Sequence, residues 1–233
     1  MSPSSAQHRT CPRLLVSVRD PAEAEAARLA GADLIDAKDP ERGALGALPP
    51  AIVREIVARV AGAAETSAVA DPAPEAVAAL AATGVDWVKI GLDAQGRKRV
   101  ALSGALPAAA PGRLIAVLFT EDGPAAALVP ALADAGFAGA MIDTAGKTGA
   151  RLPDLADPEN LSAFTAACRA HGLMCGLAGS LRASDIPLLA GHKPNYLGFR
   201  GGLCRDFDRR NGIDPLRVAE ALRVLRSDRR DAA

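Results

Sequence analysis

The chain lacks any excess of charge: 27 Lys and Arg stand against 27 Asp and Glu in 233 residues. No basic block rises above that background, which excludes a nucleic-acid or membrane-surface role built on a positive face. A small anionic ligand would need only a local positive site. Histidine is scarce, and His8, His171 and His192 are too scattered for the ligand spacing of a zinc site. The four cysteines, Cys11, Cys168, Cys175 and Cys204, form no C-x-x-C pair, so reduced thiols and a cytoplasmic location are expected. No apolar run approaches the roughly 20 residues of a membrane span. The opening MSPSSAQHRTCP has no apolar centre of the signal-peptide kind. Residues 1–12 are expected to be a disordered extension and 228–233 a frayed tail, flanking one domain over 13–227. No Pro/Ser-rich linker divides that domain.

What is present is alternation. Eight short apolar runs are each followed by a stretch with helical spacing or an alanine-rich pattern. The strands are expected at Arg13–Val18, Asp33–Lys38, Thr66–Ala70, Asp86–Gly91, Arg113–Phe119, Gly139–Thr144, Leu173–Ser180 and Asn195–Gly202. The helices are expected at Pro21–Ala32, Pro49–Val60, Pro74–Gly84, Arg99–Ala109, Pro124–Gly136 (kinked at Pro130), Glu159–His171, Ala183–Ala190 and Pro215–Arg226. This count and length predict a single-domain α/β fold, a closed TIM (β/α)8 barrel. A doubly wound sheet would show a glycine-rich turn after the first strand, and SVRDPAEA has none.

In such a barrel the reactive face lies at the C-terminal strand ends, and each interior layer comes from alternate strands. The unexpected polar residues fall at the ends of even strands: Asp36 and Lys38 on the second, Lys89 on the fourth, Asp143 on the sixth, with Lys147 four residues later. Placed in phase, they can meet at the mouth. An amine attacks a carbonyl only when unprotonated, and a second cation or an apolar wall lowers its pKa. One lysine can then form an imine while the other moves protons, with Asp36 and Asp143 as acid–base partners or orienting groups.

The loops after strands seven and eight carry AGS and FRGG. Gly179, Gly201 and Gly202 allow close backbone approach to a phosphate, and Ser180 and Arg200 can add donors. The loop PERGALGALPP after Lys38 is long and can lie over the mouth, with Arg42 a candidate for a second phosphate. Asp206, Asp208 and Arg209 are most simply a solvated loop.

LLVSVRDPAEAEAARLAGADLIDAKDPERGALGA, DWVKIGL, MIDTAGKTG, GLAGSL, GFRGGLC and NGID resemble, in order, the (5-formylfuran-3-yl)methyl phosphate synthases of methanofuran biosynthesis. The resemblance runs from about Leu14 to Leu225. It implies a barrel lyase that makes a phosphorylated furan aldehyde from two molecules of glyceraldehyde 3-phosphate, losing one phosphate and two waters. It implies no metal or organic cofactor, and neither a nucleic-acid nor a membrane partner; a homo-oligomer stays open. By the family's pattern Lys38 is the Schiff-base residue and Lys89 the proton acceptor, while the D-T-A-x-K element falls on Asp143 and Lys147, with Asp36 completing the set. The imine would acidify the neighbouring carbon, and the enamine would attack the second aldehyde. Asp39, where archaeal members carry Asn, the N-terminal extension and the loop Arg205–Arg210 depart from the pattern. The rival readings are a class I aldolase of another small phosphorylated sugar and a non-catalytic phosphometabolite-binding barrel.

Overall fold

A computed structural model describes residues 11–93, 105–146 and 149–231. Eight parallel strands close into a barrel in sequence order: β1 Arg13–Val18, β2 Leu34–Ala37, β3 Glu65–Ala70, β4 Trp87–Leu92, β5 Leu114–Phe119, β6 Gly139–Asp143, β7 Met174–Ala178 and β8 Tyr196–Phe199. The described α-helices are α1 Pro21–Leu29, α2 Pro50–Val60, α3 Pro74–Ala81, α4 Ala105–Ala109, α5 Val129–Asp134, α6 Leu152–Leu155, α7 Pro158–Ala170, α8 Ile186–Ala190 and α9 Pro215–Asp231. Because side chains alternate along a strand, one set faces the helices and the other fills the barrel. Val16, Ile35, Val88, Ile90 and Leu118 belong to the outer core against the helices. Leu15, Leu34, Ile115, Val117, Met141, Ala178 and Tyr196 make the inner one.

The barrel floor is closed by paired polar groups. Arg13 Nη1 meets Glu65 Oε1 at 2.5 Å, and Trp87 Nε1 donates to Glu65 Oε2 at 2.7 Å. Tyr196 lies fully buried across the interior, where only a glycine at 176 leaves room: a Cβ there would stand 2.2 Å from the ring.

Several boundaries differ from the sequence expectation. Pro130 starts α5 rather than kinking a longer helix, because a first-turn residue needs no N–H partner. The turn before it, Ala126–Leu128, is a 3₁₀ helix, as is Ala183–Asp185 before α8. The expected helix start at Arg99 lies outside the described residues. The domain reaches further than 13–227 at both ends. Cys11 is buried and its Sγ donates to Leu225 O at 2.6 Å. At the other end α9 continues through Asp231, since neither glycine nor proline interrupts RSDRRD.

Candidate active site

Asp36 is the deepest charged residue of the barrel, with no exposed surface. The β1–β2–β3 register sets Ser17, Asp36 and Ser67 side by side. Ser67 Oγ donates to Asp36 Oδ1 at 2.7 Å and Ser17 Oγ donates to Oδ2 at 3.0 Å. Lys89, projecting inward from β4, completes the carboxylate's shell with Nζ 2.6 Å from Oδ1. A buried carboxylate is tolerated when paired and hydrogen-bonded in this way. Burial alone would raise the Asp36 pKa, but the attraction of Lys89 and Lys38 and the bonds from Lys89 and Ser67 hold it below the ordinary carboxylate value. Burial and the nearby Lys38 push Lys89 the other way from a surface lysine, lowering its pKa, while Asp36 and Asp143 oppose the shift.

Lys38 sits just past the end of β2, its backbone N–H extending the ladder to Val18 O at 2.9 Å. Its Nζ is 4.0 Å from Asp143 Oδ2 at the end of β6, and its side chain is 12% exposed against 3% for Lys89. Asp143 in turn accepts the Thr144 backbone N–H at 2.7 Å through Oδ1. The loop beyond is held by Glu121, whose carboxylate accepts the Ala145 and Gly146 N–H groups at 3.0 Å each. Lys147, the last member of the expected set, lies outside the described residues.

These four residues open into a cavity of about 380 Å³ at the C-terminal end of the strands, within the size range of small-molecule sites. Gly179, Ser180, Gly201 and Gly202 line the same cavity. Gly179 (φ +129°) and Ser180 (φ +51°) turn through the left-handed region together, so the serine adopts a backbone conformation that favours glycine. Gly202 lets the β8 loop press on the β7 loop: a Cβ would stand 2.0 Å from Leu181 O.

Arg200 departs from expectation. Its guanidinium is buried against Glu23 of α1, in a two-point ion pair, and also donates to the carbonyls of Ser17 (3.1 Å), Arg209 (2.9 Å) and Asn211 (3.2 Å). Five N–H groups meet five protein acceptors, so Arg200 holds the mouth together and has no donor left for phosphate. Arg42 is exposed, donates to Ala47 O at 3.0 Å and does not line the cavity. The loop Pro40–Leu45, a 3₁₀ segment, does cover the mouth, through Ala44 and Leu45. Asp71 is exposed away from the cavity. Sequence reasoning missed Ser17 and Ser67, although strand alternation marks both as inward-facing. It also placed Arg209 in solvent, whereas the residue is half-buried in the cavity wall.

The profile of the family described as 4-HFC-P synthase matches residues 14–222, nearly the whole barrel. The chain belongs to the 4-HFC-P synthase family. A protein of Methylorubrum extorquens, provisionally named (5-formylfuran-3-yl)methyl phosphate synthase, is 58% identical over 228 residues, covering 95% of each chain. The (5-formylfuran-3-yl)methyl phosphate synthase of Methanopyrus kandleri is 35% identical over 86% of this chain and 93% of its own. Among solved structures, phosphoribosyl anthranilate isomerase of Thermus thermophilus superposes with a TM-score of 0.68 at 17% identity, covering 92% of this chain and 98% of that one. At that identity the likeness speaks for the barrel alone. Membership of the synthase family makes the chain an enzyme of that family, and the Lys–Asp cluster lies where a barrel enzyme carries its chemistry.

Proposed function

We propose that this synthase-family enzyme is a Schiff-base lyase that joins two glyceraldehyde 3-phosphate molecules into (5-formylfuran-3-yl)methyl phosphate. The observation that carries the assignment of roles is the inequivalence of the two lysines. Lys38 is the more accessible and stands 4.0 Å from Asp143, whereas Lys89 is enclosed and engaged at 2.6 Å by Asp36. The accessible amine suits attack on a carbonyl; the enclosed one, with a depressed pKa and a carboxylate in contact, suits taking and returning a proton.

The neutral Lys38 amine adds to a triose carbonyl and the nitrogen proton passes to the oxygen; the carbinolamine takes up one further proton from solvent and loses water to give the iminium. Asp143 is placed to stabilise that cation. Lys89 then removes the proton from the adjacent carbon. The product skeleton specifies the new bond. The furan carbon bearing CH₂OPO₃ derives from carbon 2 of the triose that keeps its phosphate. It is joined to carbon 3 of the triose that loses phosphate, which replaces attack on the second aldehyde carbon. Two C3H7O6P units minus one H3PO4 and two H2O leave C6H7O6P, so no oxidant or reductant is needed. The backbone N–H groups and glycines of the β7 and β8 loops support phosphate binding here.

Reduction with borohydride during turnover tests the assignment. The adduct is expected on Lys38 and absent in Lys38→Arg. Lys89→Arg, which cannot act as a base, is expected to keep the adduct and lose about 10²-fold or more in turnover. An adduct elsewhere, or none, would overturn the Lys38 role. Incubation with glyceraldehyde 3-phosphate alone should release phosphate as furan absorbance grows; neither signal appears if the substrate is another phosphosugar.

A further inference from the structure

Two arginines of the β8 loop differ sharply in how their donors are satisfied. Arg200 has five acceptors, all from the protein. Among the described residues Arg209 has one: Nη2 donates to Gly43 O at 2.7 Å. Its Nε is buried with no hydrogen-bond partner, and among the described residues it forms no ion pair. The other arginines on the cavity wall are engaged differently. Arg151 is bonded to Asp154 and Asp185, and Arg182 is exposed over the Phe207 ring at 4.9 Å.

Arg209 is nonetheless held in place. Its carbonyl accepts Arg200 Nε at 2.9 Å, and its Cβ lies beside Gly201, 3.6 Å from where a Cβ there would be. From that anchor the side chain crosses to Gly43, in the loop that follows Lys38. It therefore bridges the glycine loop of β8 and the β2 loop at the rim of the cavity. A half-buried guanidinium lacking a carboxylate is costly unless an anion completes it, and its planar fork matches the oxygens of a phosphate.

We propose that Arg209 is the phosphate-binding arginine of this site, with a phosphate monoester of the substrate, or the inorganic phosphate released from it, as its ligand. Which molecule carries the phosphate rests on the function proposed above; the phosphate chemistry of the site does not. The fixed backbone and the free side of the fork give Arg209 the role that Arg200 cannot fill. Arg209 and the Gly179–Ser180 turn line the same cavity, so one anion held there can meet both.

Calorimetric titration of the full chain with inorganic phosphate tests the proposal. The unsubstituted chain is expected to bind, and Arg209→Gln to weaken binding about tenfold or more. Arg209→Lys should fall between them, and Arg42→Gln should bind as the unsubstituted chain does. A measurement without substitution covers the case of a misfolded variant: phosphate should protect Arg209 from phenylglyoxal, read by peptide mass spectrometry. Binding by Arg209→Gln within about twofold of the unsubstituted chain, no phosphate binding at all, or equal labelling of Arg209 with and without phosphate would overturn the proposal. Phosphate binding that depends on Arg209, without a trapped Lys38 adduct, would leave this site standing and remove the proposed reaction. A trapped adduct with phosphate affinity unchanged in Arg209→Gln would do the reverse.

Discussion

Asp36 carries the greatest electrostatic stake of any single residue, because it has no water to fall back on. Its ordinary pKa near 3.8 is lowered in the fold. Its stabilising contribution is thus complete above that value and is lost as the pH falls through the lower, folded one. Asp36→Asn removes that acid-dependent segment and leaves the buried Lys89 without the carboxylate in contact with it. Urea titration at neutral pH should show the variant less stable by about 3–5 kcal/mol, with a flatter decline toward acid; parallel pH curves would refute the pairing. The same substitution removes the attraction that favours the Lys89 ammonium, so the Lys89 pKa falls further. Any rise of residual activity with pH that reports Lys89 should therefore move to lower pH in Asp36→Asn, a shift read from the pH–rate profile.

Strand ends and the loops that follow them shape the cavity together, and two glycines show how. A Cβ on Gly202 would meet the Leu181 carbonyl at 2.0 Å, backbone against backbone. Gly202→Ala should separate the β7 and β8 loops and cost about 1–3 kcal/mol in thermal or chemical denaturation. A Cβ on Gly91 would meet Leu45 Cδ1 at the same 2.0 Å, but that atom is the tip of a flexible side chain. Gly91→Ala should cost less in stability while displacing the Pro40–Leu45 segment from the mouth. Faster proteolysis of that segment and a raised KM with near-normal Tm would show it; an equal loss of stability in both variants would contradict this contrast.

The whole molecule depends on bringing its first and last strands together, and Arg200 stitches that seam. β1 pairs with β8 in the sheet, and Arg200 at the end of β8 binds both Ser17 O in β1 and Glu23 in α1. Ser17 in turn holds Asp36, so closure of the barrel and placement of the charged cluster share one network. Arg200→Met should lower stability by about 3–5 kcal/mol, since it strands the buried Glu23, and the loss should appear in denaturation whether or not phosphate is present. A variant with normal stability and lost phosphate affinity would instead return Arg200 to the ligand-binding role.

The barrel and the polar cluster at the C-terminal end of its strands were legible in the sequence because both follow from local periodicity. Alternation within strands puts Asp36 and Lys89 on inward positions, and the count of strand–helix units favours closure over an open sheet. The order of motifs likewise carries the family. Only tertiary structure decided which polar groups answer one another. Arg200 and Arg209 lie nine residues apart in one polar loop, and nothing in that local pattern says that Glu23, far away in α1, and three carbonyls saturate the first while the second lines the cavity. The different surroundings of Lys38 and Lys89 have the same origin. Periodicity is a property of neighbours along the chain, whereas pairing, burial and the pKa shifts they cause are set by neighbours in space.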